Sequence, residues 1–467
     1  MIFYNFKKNS GYLLVLVLVF GAIFLSIITA FVGFVVTQHR AQVINYNREQ
    51  AIDIAEAGLN YYKWFLAHNP GNIKNGTNVP GPYIGVYSDP ESGPIGEYSL
   101  SIASSSACGV VSAVDITSTG HTYAEPNVGR TVYGRYAQPT VAEYAYIINS
   151  NVWAGSDRVI IGPYHSNGGV RMDGTNNSTV TSGQSAWSCT PSFGCTPTTT
   201  KAGVFGAGAN YDLWSYPAAP INFTGLTVDL GNLQAKAQTG GGKYFAPSGK
   251  AGYHITFKSN GTFDVYKVNS KENEPNGVAW GYYMNILKGE SFVGNYQIPS
   301  SCSVIYVADQ VWLDGVVKGR VTLAAADVVT LGKDPSIILN GDITYANTTS
   351  GLLAIAEYDV LIGLKVPDNM TLNGIFIAQL GHFGRNDYSY SKMPASWTSY
   401  SKRNSLTVNG TIVSNGREGT KWTSNGVYVS GFNIRNNSYA RSLVANPPPL
   451  TPKTSDSYEF IEWREVN

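Results

Sequence analysis

From Gly11 to Val36 the chain carries no charged residue, and only Ser26 and Thr29 interrupt the apolar run with polar groups. At about 1.5 Å of rise per residue this segment spans roughly 39 Å as a helix, more than a hydrocarbon core of about 30 Å. Beyond Val36 the pattern changes period. Ile52, Ala55, Leu59, Tyr62 and Leu66 fall on one stripe, and Glu49, Asp53, Glu56, Asn60 and Lys63 on another, the spacing of an amphipathic helix. No proline or glycine-rich break separates the two segments. The pattern therefore predicts one continuous helix of about 55 residues and about 80 Å, stopped where Asn69, Pro70 and Gly71 end the periodicity.

Past that stop the period falls to two. Tyr98 to Ala103 alternates, GVVSAVDITS (Gly109 to Ser118) is β-branched and GRTVYGRYAQ (Gly129 to Gln138) is again strand-like, which predicts a small antiparallel sheet to receive the helix stripe. Further along, an apolar residue followed by Asn or Asp and then Gly recurs at Met172-Asp173-Gly174, Leu313-Asp314-Gly315, Leu339-Asn340-Gly341, Leu372-Asn373-Gly374 and Val408-Asn409-Gly410. The last four glycines are 26, 33 and 36 residues apart. A short strand and a turn tolerant of positive φ, recurring unevenly, predicts a parallel β-helix of right-handed type, with an antiparallel sandwich as the alternative. Val321 to Leu331 and Leu352 to Leu364 read as its stacked strands. Residues 185 to 300 lose the repeat and are expected as an insertion or lid. Within them Tyr253, Ile255 and Phe257 face Phe263 and Val265 across Asn260-Gly261 in a predicted hairpin. Pro447 to Pro449 form a stiff polyproline stretch before a last strand, Tyr458 to Trp463.

Composition adjusts this picture in three ways. Only 13% of the 467 residues are charged, about half the usual share. A net charge of +1 gives no field to attract a polyanion, so no nucleic-acid partner is expected. With 43% hydrophobic residues the chain has ample core and is not disordered. Lys7 and Lys8 precede the apolar run and nothing basic follows until His39 and Arg40, a bias that places the amino terminus in the cytoplasm and the bulk outside. The run exceeds the 7 to 15 apolar residues of a secretory signal, which makes it a single-pass anchor.

The segment KKNSGYLLVLVLVFGAIFLSIITAFVGFVV (Lys7 to Val36) looks like a class III signal. Together with EQAIDIAEAGLNYY (Glu49 to Tyr62) it resembles the amino-terminal region of PilX-like minor pilins and the tip pseudopilins of type II secretion. That resemblance implies cleavage by a prepilin peptidase between Gly11 and Tyr12, and assembly of the mature helix beside other pilin or pseudopilin subunits. The stretch TSTGHTYAEPNVGRTVYGRY resembles the sheet that packs on a pilin helix. IIGPYHSNGGVRMDG (Ile160 to Gly174) and Val304 to Gly416 resemble the β-helical ectodomains found behind some PilX-type helices, and NPPPLTPKTSDSYEFIEWRE resembles their tail. One departure is informative: Leu16 stands where major pilins carry a glutamate, and an apolar residue there cannot make the charge contact that fixes register among buried helices. Its absence fits a minor or capping subunit. The expected organisation is a basic leader (1 to 11), a membrane segment (12 to 36), a pilin-like helix and sheet (37 to 149), a β-helix-like ectodomain (150 to 446) and a proline-rich tail with a last strand (447 to 467).

Four cysteines, Cys108, Cys189, Cys195 and Cys302, form an even set in an exported region. Cys189 and Cys195 enclose a five-residue loop suited to a disulfide, and Cys108 with Cys302 is the remaining pair. No CxxC spacing suggests zinc. His165 and Ser166 near Asp173 invite a triad, but triad members normally come from separate elements, so a turn role is favoured. His382 and Arg385 read as a loop bend. Asp314, Asp342, Glu357 and Asp359 are the carboxylates a β-helix polysaccharide lyase or hydrolase would use, yet turn capping explains Asp314 and Asp342 as well. Asp173 to Asn177 lacks the closing acid of a calcium loop. Trp187, Tyr211, Trp214, Tyr244, Trp280, Tyr282 and Tyr283 crowd the irregular region, and Trp187, Trp214 and Trp280 are its candidate contact surface for glycans. The expected function is a noncatalytic minor pilin or pseudopilin-like subunit of a type IV pilus or related assembly, without catalytic residues, cofactor or metal. Its expected partners are membrane lipid, other pilin subunits, prepilin peptidase and surface glycans. An uncleaved membrane-anchored adhesin is the alternative.

Overall fold

The computed structural model describes residues 10–69, 72–223, 229–273, 283–330, 332–389, 393–455 and 457–466. The leader lysines, Pro70 and Gly71, Leu331, Trp280 and Tyr282 lie outside the described residues. The chain divides into two compact units, one of Met1–Ala103, Val114–Tyr136 and Glu462–Asn467, the other of Ser104–Ala113 and Ala137–Ile461.

In the first unit, α1 runs unbroken over Ser10–His68 for 59 residues, roughly 88 Å by rise. Every large hydrophobic side chain from Tyr12 to Val36 is exposed. With a mean hydropathy of 2.9 in its most apolar window, α1 is the one helix among the described residues long and apolar enough to cross a membrane. Ser26 and Thr29 donate their hydroxyls to Ala22 O (2.8 Å) and Leu25 O (2.7 Å), which satisfies their polar groups inside the helix. The carboxy-terminal half is different. Ala51, Ile54, Ala55, Leu59, Tyr62, Phe65 and Leu66 are buried, so the stripe is centred on Ile54 and extended by Phe65, while Ile52 sits half-buried at its margin.

That stripe packs on a five-stranded sheet of β1 (Tyr83–Asp89), β2 (Gly93–Ala107), β3 (Val110–Thr122), β4 (Arg130–Ala137) and, at the β4 edge, the carboxy-terminal strand Glu459–Val466. β1 pairs antiparallel with β2, and β3 with β4. The last strand, expected to close the ectodomain's tail, is an edge strand of this sheet, and its Glu465 carboxylate pairs with Arg130. At Gly120 on β3 the helix backbone comes so close that a Cβ would lie 2.4 Å from Ala51 O and 2.5 Å from Ala55 N. Buried Asn47 then pins the register: its Oδ1 accepts from Thr122 Oγ1 at 2.7 Å and its Nδ2 donates to Val43 O at 2.8 Å.

In the second unit most strands pair in parallel, in three long ladders and a short one of residues 152–154, 170–172 and 204–205. The first passes, in spatial order, through residues 243–245, 304–307, 322–325, 353–356, 375–378, 411–414, 146–148, 164–166, 180–182 and 214–215. The second includes 253–257, 311–313, 337–339, 360–362 and 383–385. The third includes 315–317, 343–345, 369–372, 402–409, 431–438, 158–161 and 175–176. Spatial order and chain order differ. The chain joins the stack in its middle at Tyr146, runs outward to Ser215, resumes at the opposite end at Lys243 and works back until 411–414 lies beside 146–148.

Ile305, Leu323, Ala354, Phe376, Ile412, Tyr146 and Val180 point into the core enclosed by the ladders. On the other face of the first ladder Tyr306, Ala324, Ile355, Ile377 and Val413 pack with Leu233 and Ala237 of a helix over Leu230–Gln238, and with Val141 and Leu443. Burial on both faces explains why Leu352 to Leu364 runs apolar without alternating. The recurring turn triplets stack directly on one another: Leu372-Asn373-Gly374 on Val408-Asn409-Gly410, with Asn409 Nδ2 donating to Asn373 Oδ1 at 2.9 Å. Gly410 has φ 146°, and a Cβ there would meet Gly374 O at 1.8 Å. Asp314 and Asn340 form a similar pair at another corner, and this change of corner is the reason for the uneven spacing.

The expected insertion over 185 to 300 is corrected by this arrangement. Residues 204–205, 214–215, 243–245 and 252–257 are ladder strands, and among the described residues of this stretch two antiparallel pairs add to them, Ala186–Cys189 with Thr199–Ala202 and Thr262–Lys271 with Leu287–Gln297. Strands of two or three residues are too short to display a period, so long connections mask them in the sequence. The hairpin sets Phe257 opposite Phe263 and Ile255 opposite Val265. Pro448 and Pro449 are buried, with Thr322 Oγ1 donating to Pro449 O. Cys108, with Gly109, turns β2 into β3 at positive φ and is disulfide-bonded to Cys302, while Cys189 is bonded to Cys195.

The Gly120 contact yields a stability prediction. Gly120→Ala forces its methyl group against helix backbone that cannot rotate away, at a cost of about 1–3 kcal/mol; thermal unfolding of the full chain in detergent is expected to show a lower midpoint, whereas Gly129→Ala, with no atom nearer than 3.7 Å, leaves it within about a degree.

Candidate functional site

The two halves of the stack meet along a seam. There 411–414 pairs with 146–148 and 435–438 with 158–161. Arg158, 2% exposed, is placed by the third ladder, and Glu418 by the connection after residue 414. Arg158 Nη2 donates to Glu418 Oε1 at 2.6 Å and also contacts Oε2, while Nη1 donates to Tyr146 Oη at 3.0 Å. The carboxylate outweighs the burial that disfavours the guanidinium's charge, and its pKa is raised. Tyr146 and Tyr164 titrate well above the ordinary tyrosine range because both are buried.

Beside this pair lies a groove of about 1190 Å³. Asp157 lines it and accepts from Arg435 Nε and Nη2 at 2.9 and 2.8 Å, with Lys421 Nζ at 3.5 Å. Burial works against the charge of Asp157, but Arg435 and Lys421 prevail and hold the carboxyl below its usual range. Trp422 Nε1 donates to Arg385 O at 2.8 Å. Trp153 donates to Asp173 Oδ2 at 2.8 Å and lies under the Arg171 guanidinium, 4.3 Å from the ring centroid. The groove is neutral in balance and aromatic at its walls.

No protein-family model matches the chain, and no curated protein does. Among solved structures, the crystal structure of the competence-associated pilin ComZ from Thermus thermophilus aligns with it at 14% identity, over 90% of this chain and 97% of that chain, with a TM-score of 0.27. A likeness at that score carries no argument.

The structure disperses the residues singled out from the sequence. His165 is buried with its ring nitrogens 2.8 Å from Thr181 Oγ1 and 2.9 Å from Asn167 Oδ1, and burial lowers its pKa. Ser166 Oγ donates to Ser150 O, and Asp173 accepts from Trp153, Arg171 and Ala207 N, so the three have separate partners. Arg385 donates to the carbonyls of Leu364, Tyr400 and Ser401, and burial lowers its pKa to about 10. His382 pairs with Asp359 at 2.8 Å. Asp342 accepts from Thr371 N, and Glu357 from Asp327 N. Trp187 is not a contact surface: it is 6% exposed, in a cluster with Cys189, Cys195, Phe193 and Phe205. Trp214 packs against the stack's core. Tyr211 and Tyr283 are exposed, and Tyr244 stacks on Tyr306. Among the described residues no cluster of His, Cys, Asp and Glu could hold a metal ion.

Sequence reading passes over His254, on the hairpin's ladder strand. Its ring nitrogens lie 3.0 Å from Glu290 Oε1 and 3.0 Å from Asp314 Oδ2. Burial lowers its pKa, but Asp314 and Glu290 outweigh that and raise it, while Asp314 is held below its usual range. The signal available was only that His254 and Asp314 each sit on a strand in register; nothing in the sequence aligns those strands.

Two measurements follow. Glu418→Gln leaves the Arg158 charge buried and unpaired, so stability falls by about 3–5 kcal/mol, and the double change Arg158→Met with Glu418→Leu costs less than that single change; urea midpoints of the three proteins check it. For His254, the folded pKa lies above the unfolded value of about 6.5, so its contribution is complete below that pH and lost as pH rises through the folded pKa. The urea midpoint of the native chain is expected to decline on that rise, and His254→Gln to flatten the decline.

Proposed function

We propose that this protein is a noncatalytic minor pilin or pseudopilin-like subunit of a type IV pilus or related assembly, displaying a β-helical, adhesive ectodomain. One observation carries the reading. A single helix is apolar and fully exposed along its first half, and packed on an antiparallel sheet along its second. Such a helix needs lipid around its first half, or neighbouring helices that replace lipid when subunits assemble. Leu16 leaves no buried acid to lock one register against a neighbour, which suits a tip or low-copy position better than a repeating shaft.

The β-helical reading is supported by the parallel ladders and by return distances as short as 16 residues, as between Tyr164 and Val180. Its noncatalytic character is supported by the fate of the candidate carboxylates, each of which caps a backbone amide or pairs with a cation or histidine. Calcium at Asp173 has no support, since its oxygens already accept from Trp153, Arg171 and Ala207.

The test is made at one bond. When the chain is produced together with a prepilin peptidase, amino-terminal sequencing is expected to begin at Tyr12, and Gly11→Val to retain Met1. Native protein that keeps Met1 beside an active peptidase would replace the filament subunit with an uncleaved membrane-anchored adhesin.

A further inference from the structure

We propose that the groove beside the seam binds a neutral oligosaccharide, with Trp422 and Tyr358 as its stacking platforms. The inference deepens the adhesive part of the reading above and rests on it only for biological purpose, since the site itself is indifferent to processing at Gly11.

The aromatic side chains make the first argument. Trp422 is 39% exposed although its ring is held by the bond from Nε1 to Arg385 O, and Tyr358 is 44% exposed. Large aromatic surfaces left open to solvent are costly unless something covers them, and the C–H faces of a sugar ring cover the Trp422 ring at little entropic cost because that platform is already held in place.

Charge makes the second. The groove's cations are already committed: Arg158 to Glu418, Arg435 and Lys421 to Asp157. His382, also on the wall, is paired with Asp359. Arg417 packs over the Phe193 ring at 4.3 Å and donates to Ser192 O at 3.0 Å. A polyanion would have to compete with these carboxylates for Arg158, Arg435 and Lys421, whereas a neutral ligand meets polar groups whose charges are largely balanced and whose remaining lone pairs and protons suit hydroxyls.

Size makes the third. At about 1190 Å³ the groove exceeds the roughly 300–1,000 Å³ of a typical small-molecule site, so it suits several linked units better than one. Its walls include residues 153–158 and 416–435 together with Tyr358 and residues between 380 and 387, so it straddles the seam where the two halves of the stack are joined.

The experiment uses the full chain in detergent micelles against an array of neutral oligosaccharides, with uronate oligomers and duplex DNA as charged comparisons, followed by titration of the strongest neutral hit. Trp422→Ala and Tyr358→Ala are each expected to weaken binding about five- to thirtyfold, the usual cost of truncating an aromatic anchor. Tyr211→Ala, exposed but outside the groove, is expected to leave it unchanged. Trp422→Ala also deprives Arg385 O of its donor, so if that variant does not fold, Tyr358→Ala decides alone. The proposal is overturned by an array on which no neutral glycan binds, by binding that survives the groove substitutions, or by capture restricted to polyanions and abolished by salt. Amino-terminal sequencing of the same preparations reads processing separately, so failure of the glycan site and failure of the filament reading cannot be mistaken for each other.

Discussion

Parallel strands leave a row of unpaired amides and carbonyls at each end of a stack, and in this chain the need to close one such pair of edges governs the second unit. The strand over residues 411–414 and the strand over 146–148 are each other's only remedy, as are 435–438 and 158–161. Their union buries Arg158, which in turn requires Glu418, and it brings two loop groups far apart in sequence to a common wall. The stability of the stack and the shape of the groove therefore draw on one junction. A buried ion pair is an expensive way to hold such a junction compared with apolar packing, but it is selective, since any other alignment of the halves leaves two charges without partners.

The first unit obeys a simpler rule, that a helix and a sheet approach only as closely as their side chains permit. Gly120 removes the obstacle and Asn47 supplies a buried polar contact that fixes the sliding coordinate. The same helix thus changes surroundings along its length, from fully exposed apolar side chains to its own sheet, without any break in its backbone hydrogen bonding.

How much of this was legible depended on the range of the interaction concerned. The anchor and the stripe through Ala55, Leu59 and Leu66 were readable because helical periodicity is a local property, and the sheet after it was readable for the same reason. The Asn-Gly corners were readable as turns but not as two separate corners, because which triplets stack depends on coil length. Ladder strands such as 214–215 and 243–245 were invisible, being too short for any pattern and joined by long polar connections. The groove was missed altogether. Its residues look unremarkable one at a time, and Trp187 and Trp214 drew attention away from it by standing in a region that only appeared irregular. Exposure of Trp422 and Tyr358 is a tertiary property that no spacing encodes.

The entry of the chain into the middle of its own stack has a consequence for biogenesis. A polypeptide synthesised from its amino terminus completes residues 146–215 well before 411–438 have been translated. For that interval the first coils have a neighbour on one side only, and the partner that completes them is more than 260 residues away in sequence. Growth of the stack cannot keep pace with synthesis, because pairings of such long range wait on closure of the whole intervening loop. The order of the strands thus leaves one strand edge open until the last part of the stack has been made.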